Sequence, residues 1–534
     1  MASSHRAAGA RRLKLPWRSW PVSTAQVRVF PGTYRDSLLL LSATRAMQDG
    51  AGVSWAAAVM ATPANVEDLT GRGIGTADLA GADANALVLA VQAQDEPTAD
   101  AALQRGHDAL FAGESRGGAE PGVADPQSIG EAAARLPGAN VAVVSVPGPY
   151  AAVAAHQALT AGLHVLLFSD NVPLADEVSL KERASRLGKL VMGPGAGTAM
   201  LGGVGLGFAN VVRPGPVGVV AAAGTGAQEM MTLLDRWGIG VSCVVGVGGR
   251  DLSTGVGGRM AADAVRVLDN DPGTEVIVLV SKPPDPAVAR QVISASEHTT
   301  VVAACLGMAA LEGLPAGIPL AATLEEGALL AARVLGAPVP DLADGLAGDI
   351  EAALARTGSS RTVVRGFFTG GTLCYEAQVV LSRCLGPVYS NIPLRPDLAL
   401  PAPPGAHICV DLGEEEYTRG RPHPMIDPSA RRQIVQEQAG GDDVAVVLLD
   451  VVLGHGSHPD PAGEIAATCA DLVASGAAVV AYVLGTRADP QDFDAQRRTL
   501  RAAGAIVTQT SAQAARVAAA ITAGRPDLAM VSPA

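Results

Sequence analysis

The residues best suited to chemistry lie in Val217-Gly218-Val219-Val220-Ala221-Ala222-Ala223-Gly224-Thr225-Gly226-Ala227-Gln228-Glu229, a buried apolar strand running into a glycine turn that opens a helix. Small residues there let backbone N–H groups approach an anion, and the helix end adds partial positive charge. No Lys or Arg lies within the turn, so it is not a P-loop, which needs Gly-Lys-Ser/Thr. Gly224, Thr225 and Gly226 are candidate catalytic residues, holding a phosphate or carboxylate. Alone, such a turn is equally an ordinary strand-to-helix connection. Gly248-Gly249-Arg250-Asp251 follows the next strand at the carboxyl edge of its sheet, where open α/β sheets bind ligands, so these four are candidate substrate-binding residues. Arg421-Pro422-His423-Pro424 is a rigid turn that reads either as a carboxylate clamp, with Arg421 gripping in two-pronged geometry, or as a structural corner.

The elements that must position these residues follow a strand–helix rhythm. Residues 27–112 form a small α/β unit with a ferredoxin-like order, after a leader at 1–26 expected to be disordered and before a polar linker at 113–127. Residues 128–213 form half of a Rossmann-like sheet, with a β-branched strand at Val141–Val146 covered on both faces. Residues 214–345 form a doubly wound unit with strands at Val217–Ala221, Cys243–Val247, Val276–Val280 and Val301–Cys305. A second unit on the same plan fills 361–534, with strands at His407–Leu412, Val444–Leu449, Val479–Leu484 and Ala505–Val507. The fold class is α/β and multidomain.

Composition narrows the function. The 534 residues carry a net charge of −13, spread along the chain, which argues against nucleic-acid binding. No apolar run approaches the roughly 20 residues needed to cross a bilayer. The basic start (Arg6, Arg11, Arg12, Lys14, Arg18) has no apolar run after it, so no secretory signal is read there. Six cysteines show no metal-ligand spacing and read as buried residues of a reducing compartment. The expectation is a cytoplasmic protein without a metal site.

Four blocks carry a resemblance: Ala142-Val143-Val144-Ser145-Val146-Pro147, Met192-Gly193-Pro194, the Gly224 turn with Glu229, and Gly246-Val247-Gly248-Gly249-Arg250-Asp251. In order and spacing they resemble the α subunit of succinyl-CoA synthetase, while the tail is similar to the last domain of its β subunit. With Phe168-Ser169-Asp170-Asn171-Val172, Val280-Ser281-Lys282-Pro283-Pro284, Thr369-Gly370-Gly371-Thr372-Leu373 and Gly420–Pro428, the chain most resembles the FdrA family. In the synthetases two opposed helix N-termini hold a phosphate. The resemblance places these after Gly224-Thr225-Gly226 and after Gly454-His455-Gly456, making the latter three candidate catalytic residues as well.

The chain departs from the synthetases in ways that alter the expected chemistry. Residues 306–332, where the phosphohistidine should lie, contain no histidine. No ATP-grasp module is recognised. Lys282 stands where a histidine-orienting Glu is expected, so a cation faces the site and suits an anionic substrate. The turn beside CoA reads Gly193-Pro194-Gly195-Ala196 without its polar pair. The resemblance implies cofactor contacts at Pro147, Gly193 and Pro194, and leaves CoA binding open. His455 could favour phosphate when protonated or could simply pack; His458 is expected in solvent, and Glu229 to complement its helix dipole. FdrA-type proteins imply a subunit of an oxamate carbamoyltransferase assembly in allantoin and purine breakdown, with phosphate as substrate, other subunits as partners, and self-association expected. An acyl-CoA ligase subunit needing a separate ATP-grasp partner, and a non-catalytic carboxylate-binding scaffold, are the alternatives.

Overall fold

The structure, a computed structural model, describes residues 24–529 except 36, 76, 78, 80–81, 112–125, 309, 312, 315–316, 343–344, 359 and 419–421. The N-terminal unit runs β1 (Thr24–Phe30), α1 (Ser37–Gln48), β2 (Val53–Met60), α2 (Pro63–Gly71), β3 (Leu87–Ala93) and α3 (Glu96–Phe111). Its sheet has the order β1-β3-β2, with β3 antiparallel to both neighbours. This is the order of a split βαβ unit with three strands. Both faces of β3 are buried: Leu89 and Val91 pack with Ala43, Met47, Leu103 and Leu110, while Val88 and Ala90 pack with Leu69 and Ile74. The second packing layer depends on α2, a short helix that hydrophobic periodicity does not reveal. Thr62 caps it and Pro63 opens it.

The larger unit begins with α4 (Ile129–Arg135), β4 (Val141–Val144), α5 (Gly148–Thr160), β5 (His164–Leu167), α6 (Leu174–Arg186) and β6 (Val191–Met192), whose strands form a three-stranded parallel sheet. Next come β7 (Thr198–Leu201), β8 (Val204–Gly207), β9 (Pro214–Ala221), α7 (Gly224–Arg236), β10 (Val241–Gly246), α8 (Arg259–Asp269), β11 (Val276–Ser281), α9 (Pro286–Ile293), β12 (Thr300–Cys305), β13 (Leu320–Ala321), α10 (Leu324–Val334) and α11 (Leu346–Thr357). Their sheet order is β13-β12-β11-β9-β10-β7-β8. The β7–β8 hairpin, which sequence reading places with the first layer, adds antiparallel strands to β10 through Met200 and Val244.

The last layer comprises β14 (Val363–Phe368), α12 (Gly371–Leu385), β15 (Val388–Tyr389), β16 (His407–Asp411), α13 (Glu415–Thr418), α14 (Ser429–Gln438), β17 (Val444–Val452), α15 (Pro461–Ala474), β18 (Ala478–Leu484), α16 (Phe493–Ala502), β19 (Ile506–Thr508) and α17 (Ser511–Ala523). Its sheet is wholly parallel, in the order β15-β16-β14-β17-β18-β19. Counted from β9, and from β14 with the two-residue edge strand β15 left out, five strands of each large sheet follow the flavodoxin-like order 2-1-3-4-5. No helix among the described residues is long and apolar enough to cross a membrane.

One apolar core joins the two large sheets. Val217, Val219 and Ala221 of β9 share it with Val446 and Leu448 of β17, through buried residues of α7, α10, α12 and α17. Val220 and Ala222 face a second core, shared with the β4–β6 layer. Burial on both faces explains why β9 reads as an unbroken apolar run. The shared core also sets α7 and α12 side by side. Each starts at its sheet's switch point, so the two helix beginnings meet.

Candidate functional site at two helix beginnings

α7 and α12 each start without a side-chain cap, with extended backbone at Ala223 and Gly370. The first-turn N–H groups of a helix have no acceptor inside it. Each tip also carries roughly half a positive elementary charge. Thr372 N donates to Thr225 Oγ1 at 3.2 Å, so the two tips touch. A side chain at Gly370 would run into Thr225, and one at Gly226 into Thr372 Cγ2 and Val280 Cγ1, each at 3.0 Å. At Gly224 nothing lies within 4 Å of an added Cβ, leaving open space in front of the α7 tip. Gly226→Val should therefore separate the helices and cost about 1–3 kcal/mol by overpacking, checked by urea denaturation. Gly224→Ala should cost under about 1 kcal/mol.

Charged groups converge on this junction. Lys282 follows β11 and lies 5.6 Å from the centroid of the Tyr375 ring on α12. Asp411, at the end of β16, presses its Oδ2 against Gly371, while its Oδ1 accepts from Gly413 N at 2.9 Å. Burial raises the Asp411 carboxyl to about 7, with the Gly413 N–H opposing and Glu414 adding repulsion. His423 sets Nε2 beside Gly413, and its Nδ1 accepts from Met425 N at 3.2 Å. Burial lowers this imidazole to about 4, so near neutrality it is uncharged, with its proton on Nε2. On the far side of the α12 tip, Asp450 accepts from Thr369 N, Thr369 Oγ1 and Gly370 N.

Below the tips the two helices repeat one pattern: Thr225 with Glu229, and Thr372 with Glu376, four residues on in each case. Both glutamates are fully buried. Glu229 Oε2 accepts from Tyr482 Oη at 2.5 Å, and Tyr482 accepts from Arg236 at 2.8 Å. Glu376 Oε1 accepts from Leu324 N at 2.6 Å, while its Oε2 has no partner. Burial pushes Glu229 up to about 7 and Glu376, which also feels Glu229, up to about 8. Sequence reading gave Glu229 a dipole-balancing role and passed over Glu376. The repeated Thr-x-x-x-Glu spacing was the available signal.

Several expectations require correction. Gly454-His455-Gly456 does not open a helix: α15 begins only at Pro461, capped by Asp460. The turn instead docks on residues 208–210, with His455 N donating to Ala209 O at 2.7 Å, Gly454 against Ala209 and Asn210, and Gly456 against Phe208. The second tip belongs to Thr369-Gly370-Gly371-Thr372, a block noticed in the sequence but given no role. His458 is buried, not solvated, and its Nδ1 accepts from Asp460 N.

Arg250 and Asp251 are engaged elsewhere. Lys181, fully buried, pairs with Glu177 at 2.7 Å and Asp251 at 2.8 Å, and Arg250 bonds Val172 O and Glu177. This network braces the β4–β6 layer against the next sheet and withholds the buried Asp251 from a substrate, while the Arg250 side chain stays half-exposed. Gly248 is needed because a side chain there would strike Pro194 O and Gly193; Gly249 has more room.

The turns that the resemblance assigns to CoA pack closely on their own layer. Pro147 precedes α5, whose Gly148 abuts Asp170 O and Asn171 O. Gly193, joined to Pro194 by a cis peptide bond, abuts Leu167 O. Arg421 lies outside the described residues. The corner reading suits His423, whose carbonyl also accepts from Ile426 N and Asp427 N.

Comparison with known proteins agrees with this architecture. Residues 367–521 match the CoA-ligase family model, and residues 23–125 match a model described as AllF, heavy metal-associated domain. No cysteine precedes Cys243. Within the described part of the N-terminal unit, the one histidine, His107, packs between Phe30 and Phe111. These residues do not fit a heavy-metal site. No metal-holding group of three or more His, Cys, Asp or Glu occurs among the described residues. The succinate–CoA ligase α subunit of Methanothermobacter thermautotrophicus is 33% identical over 146 residues, 27% of this chain and 48% of that protein. The malate–CoA ligase α subunit of Methylorubrum extorquens is 30% identical over 186 residues, 33% of this chain and 62% of that protein. YahF of Escherichia coli K12 is 37% identical over 503 residues, 91% of this chain and 96% of YahF. With that likeness running through every layer described above, the chain belongs to the family of YahF, the FdrA-type relatives of succinyl-CoA synthetase.

Proposed function

We propose that this chain is a subunit of an enzyme that moves an acyl or carbamoyl group to or from phosphate, with the phosphate held at the joined tips of α7 and α12. The observation that carries this reading is the meeting of two uncapped helix beginnings at Thr225 and Thr372, beside Lys282 and an open space at Gly224. A bound phosphate oxygen attacks the carbonyl carbon. The N–H groups of the tips then stabilise the resulting oxyanion, at roughly 3–4 kcal/mol per donor. As the bond from carbon to the leaving nitrogen breaks, that nitrogen needs a proton. Asp411, held near 7, is suited to supply it. For an oxalurate-like substrate the products are carbamoyl phosphate and oxamate. The missing histidine at 306–332 is consistent with direct attack by phosphate.

The test combines the purified chain with carbamoyl phosphate and oxamate, alone and with the products of its neighbouring genes, and follows phosphate release. Lys282→Ala should lower kcat/KM about 10- to 100-fold, mainly through the anion's KM. Unchanged kinetics in that variant would remove Lys282 from the site. A second reading, an acyl-CoA ligase subunit, draws support from the CoA-ligase match, which includes the α12 tip. ATP-dependent thioester formation with an ATP-grasp partner, and none of the carbamoyl reaction, would favour it.

A further inference from the structure

A cavity of about 270 Å³ opens between the C-terminal end of α7 and the start of α16, well away from the helix tips. Arg213, Arg236, Arg487 and Arg497 line it, together with Trp237 and Gln509. A second cavity of about 140 Å³ shares Arg497 and Gln509 with the first and adds Arg501. In a chain of net charge −13, such convergence of arginines runs against the average composition.

The acids present do not neutralise it. Asp235 pairs with Arg213, and Asp494 with Arg487, both at the rim. The inner two have no such partner. Arg236 donates to the neutral Tyr482 hydroxyl and lies over Phe493, with its guanidinium carbon 5.5 Å from the ring centroid. Arg497 sits 5.4 Å from the centroid of the same ring, and its buried Nε has no hydrogen-bond acceptor. Among the described residues, neither Arg236, Arg497 nor Arg501 forms an ion pair. Asp349 is the acid lining the smaller cavity. Burial, with repulsion from Arg501 and Arg236, lowers the Arg497 guanidinium from its usual range, and Asp494 only partly opposes the shift.

We infer that this cavity binds a small molecule carrying a diphosphate group. Planar guanidinium forks match phosphate oxygens, and Arg497 presents one with an unused donor. The Trp237 indole and the Gln509 side chain, whose amide nitrogen donates to Asp341 O at 3.2 Å and whose oxygen is left over, flank the arginines and would accept the ring of a nucleoside. Arg236 links the cavity through Tyr482 to Glu229 beneath the α7 tip, so occupancy here would be felt at the buried glutamates.

The full-length chain is titrated calorimetrically with pyrophosphate, ADP and inorganic phosphate at 0.15 M salt, with Trp237 fluorescence followed in parallel. Saturable binding of pyrophosphate or ADP is expected, weakened at least tenfold in Arg497→Gln and severalfold in the rim variant Arg487→Gln, and unaltered in Lys282→Ala. Indole quenching by ADP but not by pyrophosphate identifies a nucleotide. Pyrophosphate binding without ADP binding identifies a free diphosphate. Absence of saturable binding by either, affinity unchanged from the parent chain in both arginine variants, or loss of binding in Lys282→Ala alone overturns the inference. The last result would assign the anion to the helix tips.

Discussion

Replacing Asp450 with alanine should destabilise the chain by roughly 3–5 kcal/mol, the expected scale for breaking a buried ion pair from one side. Asp450 and Arg431 are both almost completely buried, with Arg431 Nη2 3.2 Å from Asp450 Oδ1. The carboxylate also accepts from Thr369 N, Thr369 Oγ1 and Gly370 N, so its loss strands three donors as well as a guanidinium. Arg431 retains the carbonyls of Phe367 and Asp450. Those carbonyls hold its geometry without balancing its charge. Asp450→Asn keeps an acceptor oxygen and should lose less than the alanine variant. The double variant Asp450→Asn, Arg431→Met should recover part of the loss, because it removes the unpaired charge. Urea denaturation of the three variants measures all of this. A loss below about 1 kcal/mol for Asp450→Ala would mean that water or a shifted side chain replaces the carboxylate. The consequence for function follows from position: Asp450 holds the peptide that leads into the α12 tip, so the tip should slip before the sheet does.

The Asp450 position also shows why the sequence was only partly legible. In both large sheets a helix begins three residues past the end of its leading strand (Gly224 after Ala221, Gly371 after Phe368), and the C-terminal part of the neighbouring strand, β11 or β17, faces it across the switch point. Lys282 occupies that place in one sheet and Asp450 in the other. Strand runs such as Val217–Ala221 and Val444–Leu449 are readable because burial on both faces leaves an unbroken apolar string. The first tip at Gly224–Gly226 is readable for the same reason, since a strand leads directly into it.

The resemblance puts the second tip at Gly454-His455-Gly456, and nothing local tells that glycine turn from Thr369-Gly370-Gly371. Gly454-His455-Gly456 follows a longer apolar strand than Thr369-Gly370-Gly371 does. What separates them is non-local: Asn210 and Asp489 bond each other at 2.8 Å, and Asn210 and Ala209 hold the Gly454 turn in place. Arg250 and Asp251 fell to the same blindness. Their partners Glu177 and Lys181 lie about 70 residues earlier, and no spacing rule joins the four. Glu376 was missed because a glutamate one turn into a helix ordinarily faces water. The packing of α12 against α7, α10 and α17 buries it.

That burial makes stability depend on pH in a definite direction. Glu229 and Glu376 are held at about 7 and about 8 in the folded chain, against an ordinary value of 4.5. A carboxyl raised on folding binds its proton more tightly in the native state, so it favours the fold below its unfolded pKa. That advantage is lost as pH rises through the folded value. Between about pH 4.5 and 8 these two groups therefore erode stability, at up to about 1.4 kcal/mol per pH unit for each proton released. Arg236 and Tyr482 oppose the loss at Glu229, whereas Glu325 adds to it at both glutamates. His423, lowered to about 4, has the opposite sign below pH 6.5, because the unfolded chain binds its proton first. Above pH 6.5 that contribution is spent, and the buried carboxyls, with Asp411 among them, set the slope.

Glu376→Gln should then raise the melting temperature at pH 8.5 and make the decline between pH 6.5 and 8.5 shallower by about one proton. The amide keeps an oxygen for Leu324 N and brings a donor toward the side where Glu376 Oε2 lacks one. Thermal denaturation across that range provides the measurement, and an unchanged slope would mean that Glu376 is already ionised in the fold. Both glutamates lie four residues beyond a tip threonine, so the charge that loosens the core repels α7 from α12. Loss of the Thr225–Thr372 contact, and with it anion binding at the tips, should therefore precede global unfolding as pH rises.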